Sequence, residues 1–373
     1  MVEKTIDKYR GCMLGGAVGD ALGYAIEFMD EDEIRENYGP SGITGYSLNK
    51  EGVAEISDDT QMSLYTANGL LIGTTRGMTR GIMGPYTLYI KLCYKDWLKT
   101  QMADFTGYKE PEWSWLNNIP AMNHRRAPGQ TCINYLAKDD LGSIEEPRNN
   151  SKGCGGVMRV APIGLYLGGG NADKKEVDMI GAEAAALTHG HELGYIPAAV
   201  LVHIVNVVSH SEAPLLQAVN EAKTAIADEF SDAEHISYMV ELIDKATKLS
   251  QEYMDDSDAI HELGEGWVAE ETLAIAIYCS LKYENDFEKA VVAAVNHRGD
   301  SDSTGAVAGN ILGAYLGASR IPDKFIEHLE LKETITEIAD DLYNNCQMFE
   351  DDDDWDELWD AKYIHHTYTG TKL

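Results

Sequence analysis

Basic residues are scarce in this chain: 30 lysines and arginines stand against 62 aspartates and glutamates, a formal charge of -32 over 373 residues. That balance argues against a general nucleic-acid binder, which shows a basic face to the phosphate backbone. The acid excess is otherwise a statement about solubility. Cysteine is sparse too. The six (Cys12, Cys93, Cys132, Cys154, Cys279, Cys346) form no C-x-x-C pair, so neither a zinc site nor a disulfide framework is indicated. Reduced, buried thiols in a cytoplasmic protein are the expectation. Long apolar runs are missing as well: the best, Ile196 to Val208, is short for a membrane span and holds His203 and Asn206. The opening MVEKTIDKYRGCM carries charges where a signal peptide needs an apolar core. A soluble protein with no membrane partner is expected. No G-x-x-x-x-G-K-[ST] phosphate loop is present, and His191 and His261 each open an H-E-L-G stretch without the second His of a zinc-protease helix.

What is present centres on Asn296 to Gly317, NHRGDSDSTGAVAGNILGAYLG. Asp300 and Asp302 are two residues apart and would point to nearly opposite sides of a regular helix. For both to serve one site they should lie in an extended turn ahead of a helix beginning near Ser303. Backbone N–H groups and the helix dipole there help hold negative charge. Close carboxylates repel unless a cation or proton lies between them. Two readings therefore fit: a divalent-metal loop, or an N-capping Asp before a buried helix. An EF-hand is excluded because the twelfth position from Asp300 is Ile311, not Glu. The D-x-D-x-T phosphatase motif of haloacid dehalogenases should follow directly on a buried strand, whereas Asn296 to Gly299 intervene here.

Glycines recur every fourth residue in two places: Gly15, Gly19, Gly23 near the start, and Gly305, Gly309, Gly313, Gly317 after the aspartates. Each costs a helix roughly 1 kcal/mol relative to Ala, so close helix–helix approach is expected, with the first helix (residues 5–24) beside the helix after Asp302. Asp20 and Glu27 mark the end of the first helix; local context alone reads Glu27 as a cap or surface group. A second acidic turn, Ser57-Asp58-Asp59-Thr60, opens an amphipathic stretch, with Asp58 and Gln61 spaced as a capping box. Two acidic turns on helices that the glycines bring together look like the halves of one dinuclear centre.

Elsewhere the pattern is helical: 86–100, 113–123, 173–187, 193–208, 212–228, 233–248, 268–284 and 286–296, with a loop over 30–55. Strands with convincing alternation are absent, so the fold expected is all-α, one multi-helix domain over 1–373, its motif-bearing core about 8–320. The remainder, 321–373, reads as a C-terminal helix and an acidic tail, with Glu350 to Asp354 a solvated turn and two tryptophans packing back. Gly153 to Gly156 is a glycine-rich turn able to admit a ligand close to the backbone. Cys154 within it has no partner base identifiable from sequence. His189 sits at a helix junction.

Gly11 to Phe28 (GCMLGGAVGDALGYAIEF), Ser57 to Thr60 (SDDT), Ser151 to Pro162 (SKGCGGVMRVAP), Leu187-Thr188-His189 and Gly299 to Gly305 (GDSDSTG) come in an order that resembles the ADP-ribosylglycohydrolase family. The resemblance covers about residues 8–320. It implies an all-α fold, two Mg2+ (or Mn2+) ions, and cleavage of the bond between ADP-ribose and an acceptor in an ADP-ribosylated protein or small conjugate. It implies that Ser57, Asp58 and Asp59 ligate the metals from one side and Asp300, Asp302 and Ser303 from the other. Glu27, Asp59 and Asp302 would be catalytic. Ser151, Gly153, Cys154, Gly155, Gly156 and His189 would meet the ADP-ribose. Cys154 departs from the Asn of several relatives, and Ser57 and Ser303 replace Thr while keeping the hydroxyl. The run Ala17 to Tyr38 resembles the nitrogenase-regulating branch, which implies an arginine acceptor in preference to serine.

Overall fold

Glycine spacing sets the architecture. In the computed structural model, which describes residues 5–102, 112–168, 172–349 and 355–370, the first helix, Ile6–Tyr24, lies against the helix Ser301–Leu316. A Cβ on Gly11 would run into the backbone at Gly313, one on Gly15 into Gly309, one on Gly19 into Gly305, and one on Gly23 into Ser301. The two series run in opposite senses, so the helices are antiparallel and touch backbone to backbone at four successive rungs. The adjacency expected from sequence is borne out, and Gly11 extends the ladder. Gly317 ends its helix at φ 89°, its backbone still against Gly11 and its own open side facing Asp7.

Two apolar helices pack on this pair, Glu192–His210 and Ala269–Lys282. Glu192–His210 is 19 residues, longer than the run read from sequence, and is long and apolar enough to cross a membrane by length and composition alone. Its apolar window is 94% buried inside the fold, so it serves as a core helix here. Two of its polar side chains find partners: His203 Nδ1 lies 2.7 Å from Asp178, and Asn206 donates to the Gly164 carbonyl at 3.1 Å.

The described residues hold seventeen α-helices, four short 3-10 turns and no strand, with isolated bridges only at Ala54–Leu329 and Gly153–Val268. The all-α expectation holds, and one apolar core runs from Tyr9 to Tyr368. Several local expectations do not. Within the presumed loop 30–55 a helix forms, Glu31–Tyr38, closed by a reciprocal capping box between Asp30 and Glu33 (2.9 Å each way). The helix read over 113–123 is two 3-10 turns, Trp115–Asn118 and Pro120–Met122. Pro120 disfavours α geometry at Ile119, and buried Asp96 captures the N–H groups of Trp113 and Ser114. Of the two C-terminal tryptophans, Trp359 packs back and donates to Thr75 at 2.9 Å, while Trp355 stays exposed. The acidic turn read at 350–354 lies outside the described residues.

Candidate active site

The glycine contact delivers the C-terminal end of the first helix to the start of Ser301–Leu316. There Asp20, fully buried, accepts hydrogen bonds from Ser57 N (3.0 and 3.1 Å), Thr60 N (3.0 Å) and the Thr60 hydroxyl. Those bonds pin the mouth of the helix Asp58–Arg80 onto the first helix. Ser57, not Asp58, is the cap, its hydroxyl accepting from Asp59 N at 3.1 Å. The Asp58–Gln61 capping box does not form. Asp58 is already helical and accepts from Gly129 N at 3.3 Å, and Gln61 is drawn into the core to accept from Trp97 (3.1 Å) and Gln101 (2.8 Å).

At the other turn the helix starts at Ser301, two residues earlier than expected. Asp300 is its cap, accepting from Ser303 N at 3.3 Å, and Asp302 lies inside the first turn. The non-helical backbone of a cap (φ -79°, ψ 75°) lets Asp300 and Asp302 share a site without an extended turn. Gly299, at φ 124°, admits the approach of the Glu265 carbonyl, which in turn accepts from Asp300 N at 2.9 Å.

The two turns converge. Burial, then the charges of Asp300, Asp58 and Asp20, push the Glu27 carboxyl up to about 8. Burial drives Asp59 well above the ordinary carboxylate range, with Asp20, Asp58 and Asp300 adding to it; Asp302 rises likewise from burial, Asp59, Asp300 and Glu27. Asp58 rises through burial and the nearby charges of Asp20 and Asp300. Glu27 is 8% exposed, so it is neither the surface residue nor the simple cap that its local context suggested. One oxygen of Glu27 and one of Asp59 are buried with no hydrogen-bond partner.

The glycine turn lies against this cluster. Cys154 is close enough to hydrogen-bond with Asp300 and Ser303; burial, then Asp300 and Asp59, push its thiol well above the usual range, which keeps it protonated and a poor nucleophile. Cys154 N donates to Trp267 O at 3.3 Å, and Lys152 O accepts from Ala269 N at 2.8 Å, stitching the turn to the start of Ala269–Lys282. Gly153 and Gly155 pack on His189. That imidazole is buried and pushed down to about 3 by burial and by Arg159, so it is neutral; it lies 2.8 Å from the Thr188 hydroxyl. Ser151 is occupied in shaping the turn, with Thr131 at 3.2 Å and Gly153 N at 3.4 Å. Asp20 was read from sequence only as a helix end. Its signal was an acid placed in the otherwise glycine and apolar run from Gly11 to Gly23.

A family model described as ADP-ribosylglycohydrolase matches residues 1–351. The chain belongs to that family. Among relatives of this glycohydrolase, ADP-ribosylhydrolase ARH3 of Mus musculus is 25% identical, covering 92% of this chain and 93% of the relative. ADP-ribosyl-[dinitrogen reductase] glycohydrolase of Rhodospirillum rubrum is 25% identical, covering 87% and 91%. ADP-ribosylarginine hydrolase Tri1 of Pseudomonas putida is 22% identical, covering 94% and 81%. A solved structure described as an ADP-ribosylglycohydrolase-related protein complex shares the fold, with a TM-score of 0.59 at 24% identity over 91% of this chain and 98% of that one.

Among the glycohydrolase's described residues, no three carboxylate, imidazole or thiol groups already surround one point at ligand distance. The donor chemistry nevertheless fits a hard divalent cation. The acids are oxygen donors that repel one another, two of their oxygens are orphaned, and Ser57 and Ser303 add hydroxyls. Such a set favours Mg2+, Mn2+ or Ca2+ over Zn2+.

Proposed function

We propose that this glycohydrolase cleaves the N-glycosidic bond between ADP-ribose and an arginine of an ADP-ribosylated protein in the cytoplasm. Ser57, Asp58, Asp59, Asp300, Asp302 and Ser303 would hold two Mg2+ (or Mn2+) ions. The observation that carries the reading is the convergence of buried acids from three separate parts of the chain, Glu27, Asp58 with Asp59, and Asp300 with Asp302, with one oxygen of Glu27 and one of Asp59 left without a hydrogen-bond partner. Bound ions would balance these charges, orient the ribose hydroxyls and polarise a water. Glu27, buried with one free oxygen, moves the proton between attacking water and departing guanidine. Asp59 and Asp302 place negative charge where the ribosyl carbon becomes cationic as its bond to nitrogen breaks. The Ser151–Gly156 turn and neutral His189 shape the wall that receives the ADP-ribose.

Arginine as acceptor is supported by the likeness to the Rhodospirillum and Pseudomonas enzymes, one of them named for ADP-ribosylarginine. Similarity to the mouse ADP-ribosylhydrolase is of the same size, so serine- and O-acetyl-linked ADP-ribose belong in the same panel. The test is release of free ADP-ribose from an arginine-linked conjugate with Mg2+ or Mn2+, abolished by EDTA. Release from serine-linked substrate alone would reassign the acceptor. ADP-ribose binding without hydrolysis of any conjugate would make this a non-catalytic, crystallin-like member of the family.

A further inference from the structure

Phe28 follows Glu27 directly and is 75% exposed; Trp267, 42% exposed, stacks beside it with ring centroids 6.4 Å apart and planes 23° from parallel. Two large aromatic faces turned to water together are unfavourable without a ligand to cover them. Three connections put the pair on the rim of the acid cluster. Phe28 shares its segment with Glu27. The carbonyl of Trp267 accepts from Cys154 N, and its neighbour Val268 bridges to Gly153. Gly266 packs on Asp300 and Thr304.

Trp267 also walls a cavity of about 680 Å³ that Lys152, His261, Glu265, Glu271 and Arg298 help to line. The basic side chains there are spoken for: Lys152 pairs with Glu270, the His261 ring lies 2.5 Å from Glu31, and Arg298 pairs with Glu265 at 2.6 Å. Glu271 accepts from the backbone N–H groups of Glu265 (2.9 Å) and Gly266 (3.2 Å) and has no cationic side chain as partner among the described residues. The cavity thus already seats one guanidinium on a carboxylate near an aromatic wall, and it keeps a second carboxylate without a counter-charge.

We propose that Phe28 and Trp267 form the platform on which the acceptor's guanidinium stacks, with Glu271 supplying compensating charge. This rests on the arginine reading of the acceptor given above. The guanidinium is bonded to the very ribose carbon that reacts, and Phe28 is one residue from the acid that serves that carbon. A flat, weakly hydrated cation gains from an aromatic face, and most from Trp. A neutral serine linkage gains nothing from it, so the platform selects the acceptor.

The experiment compares Trp267→Leu and Phe28→Leu with wild type and with the conservative Trp267→Phe. It measures kcat/KM on arginine- and serine-linked ADP-ribosyl peptides and, by calorimetry, Kd for free ADP-ribose. On the arginine-linked peptide kcat/KM should fall roughly five- to thirtyfold in each leucine variant. Trp267→Phe should recover most of the loss, and Kd for ADP-ribose should not move. An unchanged arginine rate in both leucine variants overturns the platform and leaves the arginine reading standing. A Kd for ADP-ribose that rises in step with the rate loss overturns it too, since the rings would then hold the adenine. Wild-type protein that cleaves the serine-linked peptide and not the arginine-linked one sinks the acceptor reading itself.

Discussion

Replacing Gly19 by Ala tests the contact that builds the site. Ala is the better helix former by about 1 kcal/mol, so propensity alone would stabilise the variant. The new Cβ, however, would overlap the Gly305 carbonyl and reach the Ala306 nitrogen at 3.0 Å, all backbone atoms that cannot swing away as a side chain can. Overpacking of a filled core costs about 1–3 kcal/mol, and rigid backbone on both sides puts this case at the upper end. The net loss is then roughly 2 kcal/mol. With an unfolding entropy of about 2.1 cal/mol/K per residue, a chain this long should melt about 2–3 °C lower. Gly77→Ala is the control: its Cβ would meet nothing nearer than the Met83 side chain at 3.4 Å. That variant should gain up to about 1 kcal/mol and melt slightly higher. Scanning calorimetry of both variants reads the two signs directly. A Gly19→Ala protein as stable as wild type would show that the ladders are not in backbone contact.

Glu27→Gln should retain ADP-ribose and ion binding while kcat falls about 10²–10⁴-fold; unchanged turnover rules out its proton-transfer role. Mg2+ or Mn2+ at a hundredfold excess over Kd should stabilise the fold by about 2.7 kcal/mol. EDTA should reverse that, and Asp302→Asn should abolish it; no shift in melting temperature with either ion would contradict the metal assignment. Asp20→Asn weakens the acceptor that holds Ser57 and Thr60, so ion affinity should drop about tenfold or more in a titration. His189, held neutral with its pKa near 3 against 6.5 in an open chain, contributes stability that is present above pH 6.5. That contribution is lost as pH falls from 6.5 toward 3, because the unfolded state takes the proton first. His189→Gln should flatten urea-melt stability over that window, and identical slopes would show that the imidazole is not sequestered.

Much of the fold was legible because a small residue every fourth position has few physical uses other than close helix contact, and the two glycine-bearing helices lie together as read. The acidic turns were legible for a related reason: adjacent carboxylates at a helix mouth need a charge partner. Asp20 was not, because its acceptor role depends on Ser57 and Thr60, which lie 37 and 40 residues away. The choice between Ser57 and Asp58 as cap was equally closed to local reading, since either side chain can accept from the first turn. Tertiary partners decided it: Gly129 took the Asp58 carboxylate and Trp97 took Gln61. Glycines around 39–45 masked the helix Glu31–Tyr38, although its capping box was written in Asp30 and Glu33.

The glycine ladders and the acid cluster are one device seen from two ends. Burying several carboxylates together opposes folding, since each neighbour raises the cost of ionising the next. Helix N-termini at Asp58 and Ser301 offset part of that through their dipoles and free N–H groups. Those N–H groups do not satisfy every oxygen, and Glu27 and Asp59 each keep one without a partner. Only contact elsewhere that over-determines the geometry can hold such an arrangement in place, and backbone-to-backbone packing at four successive rungs supplies it. A looser interface would let the aspartates drift apart until each merely capped its own helix. The tight interface instead keeps the acids together, as the proposed cation site requires.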